Sequence, residues 1–213
     1  MSLNEQLEQV AKGAENRYPE EFIEGNWRDV LRLKEQRSAA GLKVGEKAPD
    51  FTLNDATGKG RTLSENLKYG PVVLSFYRGS WCPYCSLELR ALRKIHSEID
   101  FLGASLMAIS PEKPDLSLSL AEKENLPFPV LSDSAGEVML SYRLIWEFSD
   151  ELREQFLKHL DVDLRKTNEA GWVVPVPATF IIDVNAVVRE RYVNEIFIKR
   201  MEPSGILSAL KKL

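Results

Sequence analysis

The feature that most constrains this chain is its pair of cysteines, the two that it contains, within the segment Ser80-Trp81-Cys82-Pro83-Tyr84-Cys85-Ser86. The apolar run Val72-Val73-Leu74-Ser75-Phe76-Tyr77 precedes the segment and predicts a buried strand. Apolar residues then recur at spacings of three and four, which is typical of one face of a helix: Leu89, Leu92, Ile95 and Ile99. A strand, a tight turn and two cysteines that open a helix predict a redox site.

The position of Pro83 predicts where the helix begins. Proline suits the first helical position, because the N–H that it lacks would have no partner there. Cys82 is then expected at or beside the helix N-cap, facing unpaired backbone donors and the positive end of the helix dipole. Such a site favours thiolate over thiol and lowers a cysteine pKa from about 8.5 to about 3.5–7.5. We expect both sulfurs to be reachable from solvent.

Composition excludes several classes of function. The formal charge is −4, and no run of lysine or arginine supports binding to nucleic acid or to a membrane surface. The first thirty residues lack the apolar core of a signal peptide, and no stretch approaches the roughly 18 apolar residues that span a bilayer. We therefore expect a cytoplasmic protein, in which a disulfide is more often catalytic than structural.

Residues 1–42 are predicted to form an N-terminal helical extension. One apolar stripe contains Leu7, Val10, Ala11 and Ala14, and a second contains Phe22, Ile23, Trp27, Val30, Leu31 and Leu33. Such stripes usually bury themselves, so a helical hairpin packed on the rest of the chain is favoured. A dimerisation arm, and with it a homodimer, is the alternative. Gly41 is expected to stop the second helix.

Residues 43–213 are predicted to form one α/β domain. Segments 51–53 and 61–63 are expected to pair across a turn. Buried strands alternating with helices then predict a sheet with a parallel centre. The strands are expected at 72–77, 104–109, 128–131, 178–182 and 187–193, with helices at 83–99, 114–125, 135–142 and 204–213. Residues 145–171 interrupt the alternation and are interpreted as an inserted segment, either shaping the site or lying at the surface.

Several motifs carry a resemblance to a known family. They are the segment Val44–Leu53, Phe76-Tyr77, Leu131-Ser132-Asp133 and Ala178-Thr179-Phe180-Ile181-Ile182-Asp183. Together they resemble the peroxiredoxins of the AhpC/TSA superfamily. Residues 76–85 match the signature Phe-Tyr-Arg-Gly-x-Trp-Cys-Pro-Tyr-Cys of a peroxiredoxin-like bacterial group. The resemblance implies a thioredoxin-like fold with a central mixed sheet flanked by helices, and antioxidant reduction of hydroperoxides.

The sequence departs from the usual peroxiredoxin pattern Pro-x-x-x-Thr-x-x-Cys, whose last residue is the peroxidatic cysteine. On this chain Arg78 replaces the proline, and Cys82 replaces the threonine that hydrogen-bonds the peroxide. Cys85 occupies the position of the peroxidatic cysteine. The family's later arginine falls on Pro177, so two of three peroxide-activating side chains are absent. Thioredoxins have a cis-proline at that later position, and Val176-Pro177 fits this role. Both substitutions point from a peroxidatic site toward a dithiol site.

A thioredoxin feature is missing as well. The aspartate that thioredoxins bury in the strand before their motif corresponds here to Ser75. Transfer of the second cysteine's proton would then come from another group. Glu88, one turn beyond Cys85, is the candidate.

Two mechanisms lead to the same Cys82–Cys85 disulfide. In the thioredoxin manner, the Cys82 thiolate attacks a substrate disulfide and Cys85 then releases the reduced product. In the peroxidase manner, one thiolate attacks a peroxide oxygen and the other cysteine condenses with the sulfenic acid. Position in the family motif favours Cys85 as the first sulfur to react, whereas the helix end favours Cys82. Either mechanism needs thioredoxin, glutaredoxin or glutathione as reductant, and no dinucleotide or flavin fingerprint is present.

The remaining site residues have two interpretations each. Arg78 either lowers a thiol pKa or is an exposed loop arginine paired with a carboxylate. Trp81 either forms a docking surface or packs under the loop. No metal is expected, because His96 lies about 16 Å along the helix from Cys85, and His159 is interpreted as a surface histidine.

The predicted function is that of a thiol-dependent antioxidant oxidoreductase that cycles Cys82 and Cys85, supported by Arg78, Trp81 and Pro177. Its expected substrates are hydroperoxides, with disulfides as a further class. The first alternative is a disulfide reductase with little peroxidase activity. The second is a thiol redox sensor that acts on a partner through the N-terminal helices or through residues 145–171.

Overall fold

The computed structural model describes residues 1–37 and 39–213. In chain order the elements are α1 (Leu3–Arg17), α2 (Glu20–Gln36), β1 (Thr52–Asn54), β2 (Gly60–Thr62), α3 (Leu63–Leu67), β3 (Val72–Phe76), α4 (Pro83–Phe101), β4 (Ser105–Ser110), α5 (Pro114–Lys123), β5 (Val130–Ser132), α6 (Glu137–Ser141), β6 (Ile145–Glu147), α7 (Asp150–Leu160), α8 (Leu164–Thr167), β7 (Val173–Pro175), β8 (Ala178–Ile182), β9 (Val188–Val193) and α9 (Pro203–Leu210). None of these helices is long and apolar enough to cross a bilayer.

A five-stranded mixed sheet forms the centre, in the order β5-β4-β3-β8-β9. β3 pairs in parallel with β4 and antiparallel with β8. Every residue of β3 is buried, as expected for a strand covered on both faces of its sheet. The alternation of its side chains sends Val73 into the core beneath α4 and sends Leu74 and Phe76 into a second core on the opposite face. The predicted α/β fold with a central mixed sheet is confirmed.

The N-terminal helices form a hairpin that packs on the rest of the chain. α1 begins with a capping box of Ser2 and Glu5, and it packs against α4. α2 packs against α7, a helix of the segment predicted to be inserted. The expected packing of the hairpin is therefore confirmed.

The predicted role of Gly41 is wrong. α2 ends at Gln36, because Arg37 adopts a left-handed conformation (φ 51°) and donates its N–H to the carbonyl of Leu33 at 3.1 Å. Gly41 also has a positive φ of 68°, but its need for glycine is steric. A Cβ there would lie 2.7 Å from the side chain of Val193 on the edge strand of the sheet.

The segment 145–171 is tied down at both ends. It begins with β6, which pairs antiparallel with β7 immediately after the segment. Between them α7 starts at Asp150, where Ser149 caps it by accepting the N–H of Leu152 at 3.3 Å. This arrangement places the apolar face of α7, with buried Leu152 and Phe156, toward α2 and the cysteine loop.

Candidate active site

The cysteine loop leaves the sheet at the end of β3. Gly79 adopts φ 152°, and a Cβ on it would lie 2.4 Å from Nε1 of Trp81. Glycine is therefore required at this position of the motif. The N–H of Cys82 donates to the carbonyl of Gly79 at 3.2 Å, and the N–H of Ser86 donates to the carbonyl of Cys82 at 3.1 Å. Cys82 is the N-cap of α4 and Pro83 its first residue, as predicted.

A buried carboxylate holds this loop from below. Glu112, just after β4, accepts hydrogen bonds from the N–H of Ser80 at 2.7 Å and from the Ser80 hydroxyl at 2.8 Å. Burial raises the pKa of Glu112, and the two bonds from Ser80 oppose that rise. The sequence offered no signal for this residue, since the contact joins positions 32 residues apart.

Arg78 lies against the sulfur of Cys82. Its Nη2 donates to Cys82 Sγ at 3.4 Å, and the residue is 3% exposed. The guanidinium carbon is 4.3 Å from the ring centroid of Phe197, 5.0 Å from that of Trp81 and 5.5 Å from that of Trp146. These distances are those of cation–π contacts. The interpretation of Arg78 as an exposed loop arginine is therefore wrong.

The surroundings of Cys82 favour its thiolate. Burial by itself raises the pKa of the Cys82 thiol. The hydrogen bond from the Cys85 thiol and the charges of Arg78 and Arg200 outweigh burial, so the pKa of Cys82 lies well below its ordinary value. The positive end of the α4 dipole also lies at Cys82 and favours its thiolate.

Cys85 is held in the opposite state. Its Sγ accepts the backbone N–H of Arg78 at 3.4 Å and lies 3.7 Å from Nη2 of Arg200. Burial, followed by the hydrogen bond to Cys82 and the negative charge there, raises the pKa of Cys85 well above its ordinary value. Neighbouring sulfurs on one helical turn are thus arranged as a thiolate and a thiol.

Arg200 is a site residue that sequence reasoning missed. It belongs to the segment before α9, and its Nε donates to Glu88 Oε2 at 2.6 Å, with side-chain exposures of 1% and 2%. Its Nη1 also donates to the carbonyls of Phe197 and Lys199. No local motif marks an arginine 115 residues away from its sulfur. Glu88 lies one turn beyond Cys85 as noted, and its role in proton transfer stays a prediction.

The expected solvent exposure of the cysteines is wrong. Both thiols are fully buried, because the N-terminal hairpin and α7 cover the start of α4. A cavity of about 400 Å³ lies under this cover and is lined by Arg78, Trp81, Pro83 and Tyr84 beside Cys82. In the part of the chain that the structure describes, Cys82 itself is not part of the cavity wall.

The thioredoxin comparison at Pro177 is also wrong in one respect. Within residues 1–37 and 39–213 no peptide bond is cis, so the bond before Pro177 is trans. Pro177 is buried and directly precedes β8, whose Ala178 pairs with Phe76 of β3. It therefore lies at the same end of the sheet as the cysteine loop, without the backbone geometry of thioredoxins.

Trp81 packs under the cover of the site. The residue is half-buried, and its ring meets that of Phe156 of α7 edge-on at 5.4 Å. This contact brings the segment 145–171 to the site. The histidines lie elsewhere, His96 paired with Asp100 and His159 with Glu21, both at 3.2 Å. No group of three or more His, Cys, Asp or Glu that would hold a metal occurs among the described residues.

Known proteins resemble this chain in sequence and in fold. A putative peroxiredoxin of Mycobacterium tuberculosis is 36% identical over 101 residues, which are 47% of this chain and 66% of that protein. The thiol-disulfide oxidoreductase ResA of Geobacillus kaustophilus is 28% identical over 150 residues, 70% of this chain and 68% of that protein. The crystal structure of peroxidoxin BcpB from Mycobacterium tuberculosis superimposes with a TM-score of 0.64 and 26% identity, covering 81% of this chain and 98% of that one.

A match to a family model shows which part of this chain is shared with known proteins. Residues 44–191 match the model of the AhpC/TSA family. This range contains both cysteines, Arg78, Glu88 and Pro177, and it leaves out the N-terminal hairpin and Arg200. The sheet order and the superposition agree with a thioredoxin-like fold of the peroxiredoxin type. The chain therefore belongs to the AhpC/TSA family.

Proposed function

We propose that this protein is a thiol-dependent peroxidase that reduces hydroperoxides through a Cys82/Cys85 dithiol–disulfide cycle, with Cys82 reacting first. The observation that carries the proposal is the contact of 3.4 Å between the guanidinium of Arg78 and the sulfur of Cys82. That contact places a permanent positive charge beside Cys82, whereas Arg200, the cation beside Cys85, is already paired with Glu88. Family membership supports the reaction, and the contact supports the choice of sulfur.

The proposed chemistry begins with the Cys82 thiolate. It attacks one oxygen of the hydroperoxide, the O–O bond breaks, and the other oxygen takes a proton and leaves as an alcohol or as water. Cys82 is then a sulfenic acid. Cys85 attacks that sulfur, the disulfide forms, and the sulfenic hydroxyl leaves as water with the proton of Cys85. Arg78 stabilises the thiolate and donates hydrogen bonds to the oxygen that develops negative charge.

Entry and regeneration complete the cycle. A hydroperoxide reaches Cys82 from the neighbouring cavity when a side chain of its wall, Arg78, Trp81 or Tyr84, moves aside. Two electrons from thioredoxin, glutaredoxin or glutathione return the disulfide to the dithiol by thiol exchange. We place this cycle in the cytoplasm, where such reductants act. A homodimer belongs to the proposal as well, with no surface assigned to it.

A second candidate function is disulfide reduction. The similarity to ResA, a thiol-disulfide oxidoreductase, extends over 150 residues and favours it. The same Cys82 thiolate would attack a substrate sulfur instead of a peroxide oxygen, and Cys85 would release the product. Insulin-disulfide turnover compared with peroxide turnover ranks the two activities.

The test is single-turnover oxidation of Cys82→Ser and Cys85→Ser by one equivalent of hydroperoxide. In Cys85→Ser, we expect the Cys82 thiolate to be oxidised at close to the wild-type rate and a trappable sulfenic acid to accumulate. We expect Cys82→Ser to react at least 100-fold more slowly, because the remaining thiol is protonated. Fast oxidation of Cys82→Ser would assign the first reaction to Cys85, and slow oxidation of wild type beside rapid insulin reduction would replace the peroxidase with the reductase.

A further inference from the structure

The cavity of about 400 Å³ lies between the N-terminal hairpin and the first turn of α4. Its volume falls in the range of small-molecule sites. Most of its wall is apolar or aromatic, including Val10, Tyr18, Ile23, Tyr84, Phe156 and Phe197. The wall from α1 and α2 lies outside the residues that match the family, so this chain adds the cavity to the shared fold.

Arg78 also lines the cavity, and it is a buried cation with unused donors. Its Nη2 donates to Cys82, whereas its Nε and Nη1 have no hydrogen-bond partner within residues 1–37 and 39–213. In the described part of the chain no carboxylate lies within salt-bridge distance of it, although Arg200 nearby has Glu88. Buried charged donors without an acceptor are costly, so this wall favours a ligand that supplies an anion.

We propose that the cavity binds an amphipathic monocarboxylate of the fatty-acid class. The carboxylate lies at the Arg78 end of the cavity as the counter-ion of the guanidinium. Nε and Nη1 are shielded from the open space in this structure, so hydrogen bonds from them form when a side chain of the wall moves aside. The apolar chain lies against the wall formed by α1 and α2. A neutral apolar molecule would leave the Arg78 donors unpaired. A small anion such as acetate would leave the apolar wall uncovered. The two properties of the cavity therefore select a ligand that has both.

The carboxylate and the Cys82 sulfur share one cation, so binding is coupled to the redox state. This part rests on the proposed function, because it assumes that Cys82 is the thiolate. With Cys82 reduced, its negative charge already occupies Arg78 at 3.4 Å. In the disulfide that charge is gone, and the carboxylate becomes the counter-ion of Arg78. By reciprocity the ligand stabilises the oxidised protein relative to the reduced one.

The proposal is tested by titrating decanoate, 1-decanol and acetate into oxidised and reduced protein, following tryptophan fluorescence from the cavity residues Trp27 and Trp81. We expect decanoate to bind the disulfide form more tightly than the dithiol form, by a factor on the order of 5 to 150, the usual range for coupled sites. We expect 1-decanol to bind more weakly than decanoate with no redox dependence, and acetate not to bind measurably.

Two variants distinguish the charge from the cavity. Arg78→Met removes the cation, and it should bring decanoate down to the affinity of 1-decanol. Ala14→Phe fills the cavity from α1 and should abolish binding of both, whereas the small Ala14→Ser control should bind both as wild type does. The circular dichroism spectrum and the unfolding midpoint show whether each variant is folded.

Three results would overturn the proposal. They are equal affinity for decanoate and 1-decanol, decanoate binding that Arg78→Met leaves unchanged, and binding retained in folded Ala14→Phe. Equal affinity for both redox states would remove the coupling. None of these measurements uses peroxide, so they test the cavity independently of the peroxidase proposal. That proposal fails separately, if the wild-type thiols react slowly with one equivalent of hydroperoxide.

Discussion

Cys82 and Cys85 lie one helical turn apart, and each sulfur has an arginine, but the two arginines are held differently. Arg78 is surrounded by the rings of Phe197, Trp81 and Trp146, which supply no formal negative charge. Arg200 donates to the buried carboxylate of Glu88 at 2.6 Å before it reaches its sulfur at 3.7 Å. Both charges lower the pKa of Cys82, and Arg78, which has no carboxylate partner among the described residues, lowers it more than Arg200 does.

The two arginines therefore have different roles. The charge of Arg78 is available to Cys82, so this arginine sets reactivity. The charge of Arg200 is largely matched by Glu88, so this arginine mainly holds the segment before α9 against α4 and contributes to stability. A substitution at either arginine therefore tests this difference.

The largest effect is expected from Arg200→Met. This substitution leaves Glu88 buried without its cation, and removal of one partner of a buried ion pair costs about 3–5 kcal/mol. The double variant Arg200→Met/Glu88→Leu should recover much of the loss, because neither charge then remains. The free energy of unfolding in urea measures both variants.

The matched control is Arg165→Met, which breaks the pair with Asp163 on the surface, where Arg165 is 63% exposed. Exposed pairs contribute little to stability, so this variant should unfold close to the wild-type midpoint. A loss for Arg200→Met no larger than that of the control would mean that Arg200 is not the structural arginine of the two.

Arg78→Met should act on reactivity instead. Loss of the cation raises the pKa of Cys82, and each unit of rise lowers the thiolate fraction about tenfold at a pH below it. We expect peroxide oxidation at neutral pH to slow by about 10–100-fold. The reduction potential should become more negative, because the reduced form loses the charge that stabilises it. The absorbance of the thiolate at about 240 nm, followed against pH, measures the pKa of Cys82. Stopped-flow oxidation measures the rate of its reaction with peroxide.

The sign of the pH dependence follows from the direction of the shift. Because the pKa of Cys82 is lowered, its thiolate is complete above that pKa and is lost as the pH falls through it. The wild-type rate should therefore be flat at neutral pH and fall in acid, whereas the rate of Arg78→Met should still rise toward alkaline pH. Arg90→Met, on the exposed face of α4, is the control, and a profile like that of Arg78→Met would make the shift nonspecific.

The sequence predicted those parts of the site that depend on neighbours along the chain. Strand β3, the start of α4 and the N-cap position of Cys82 follow from an apolar run, a helical periodicity and Pro83. Arg200 and Glu112 were not predicted, because their contacts join residues 115 and 32 positions apart. No local pattern carries that information.

The burial of the thiols was missed for a related reason. The stripes of α1, α2 and α7 indicate that these helices pack, but they do not indicate on which part of the sheet. The structure places them over the start of α4. The prediction for Gly41 failed for the same reason. Glycine is needed there because a Cβ would clash with Val193, which is distant in sequence, and not because a helix ends there.

The smallest effect is expected from Trp81→Phe. A phenyl ring keeps the edge contact with Phe156 and weakens the cation–π contact with Arg78, which is worth about 0.5–2 kcal/mol in tryptophan. The indole Nε1 is buried and has no hydrogen-bond partner among the residues that the structure describes, so its removal recovers part of that loss. We expect the free energy of unfolding to change by less than about 1 kcal/mol and the pKa of Cys82 to change by less than about one unit. A larger rise in that pKa would show that the aromatic faces, and not only the missing carboxylate, keep the charge of Arg78 available to Cys82.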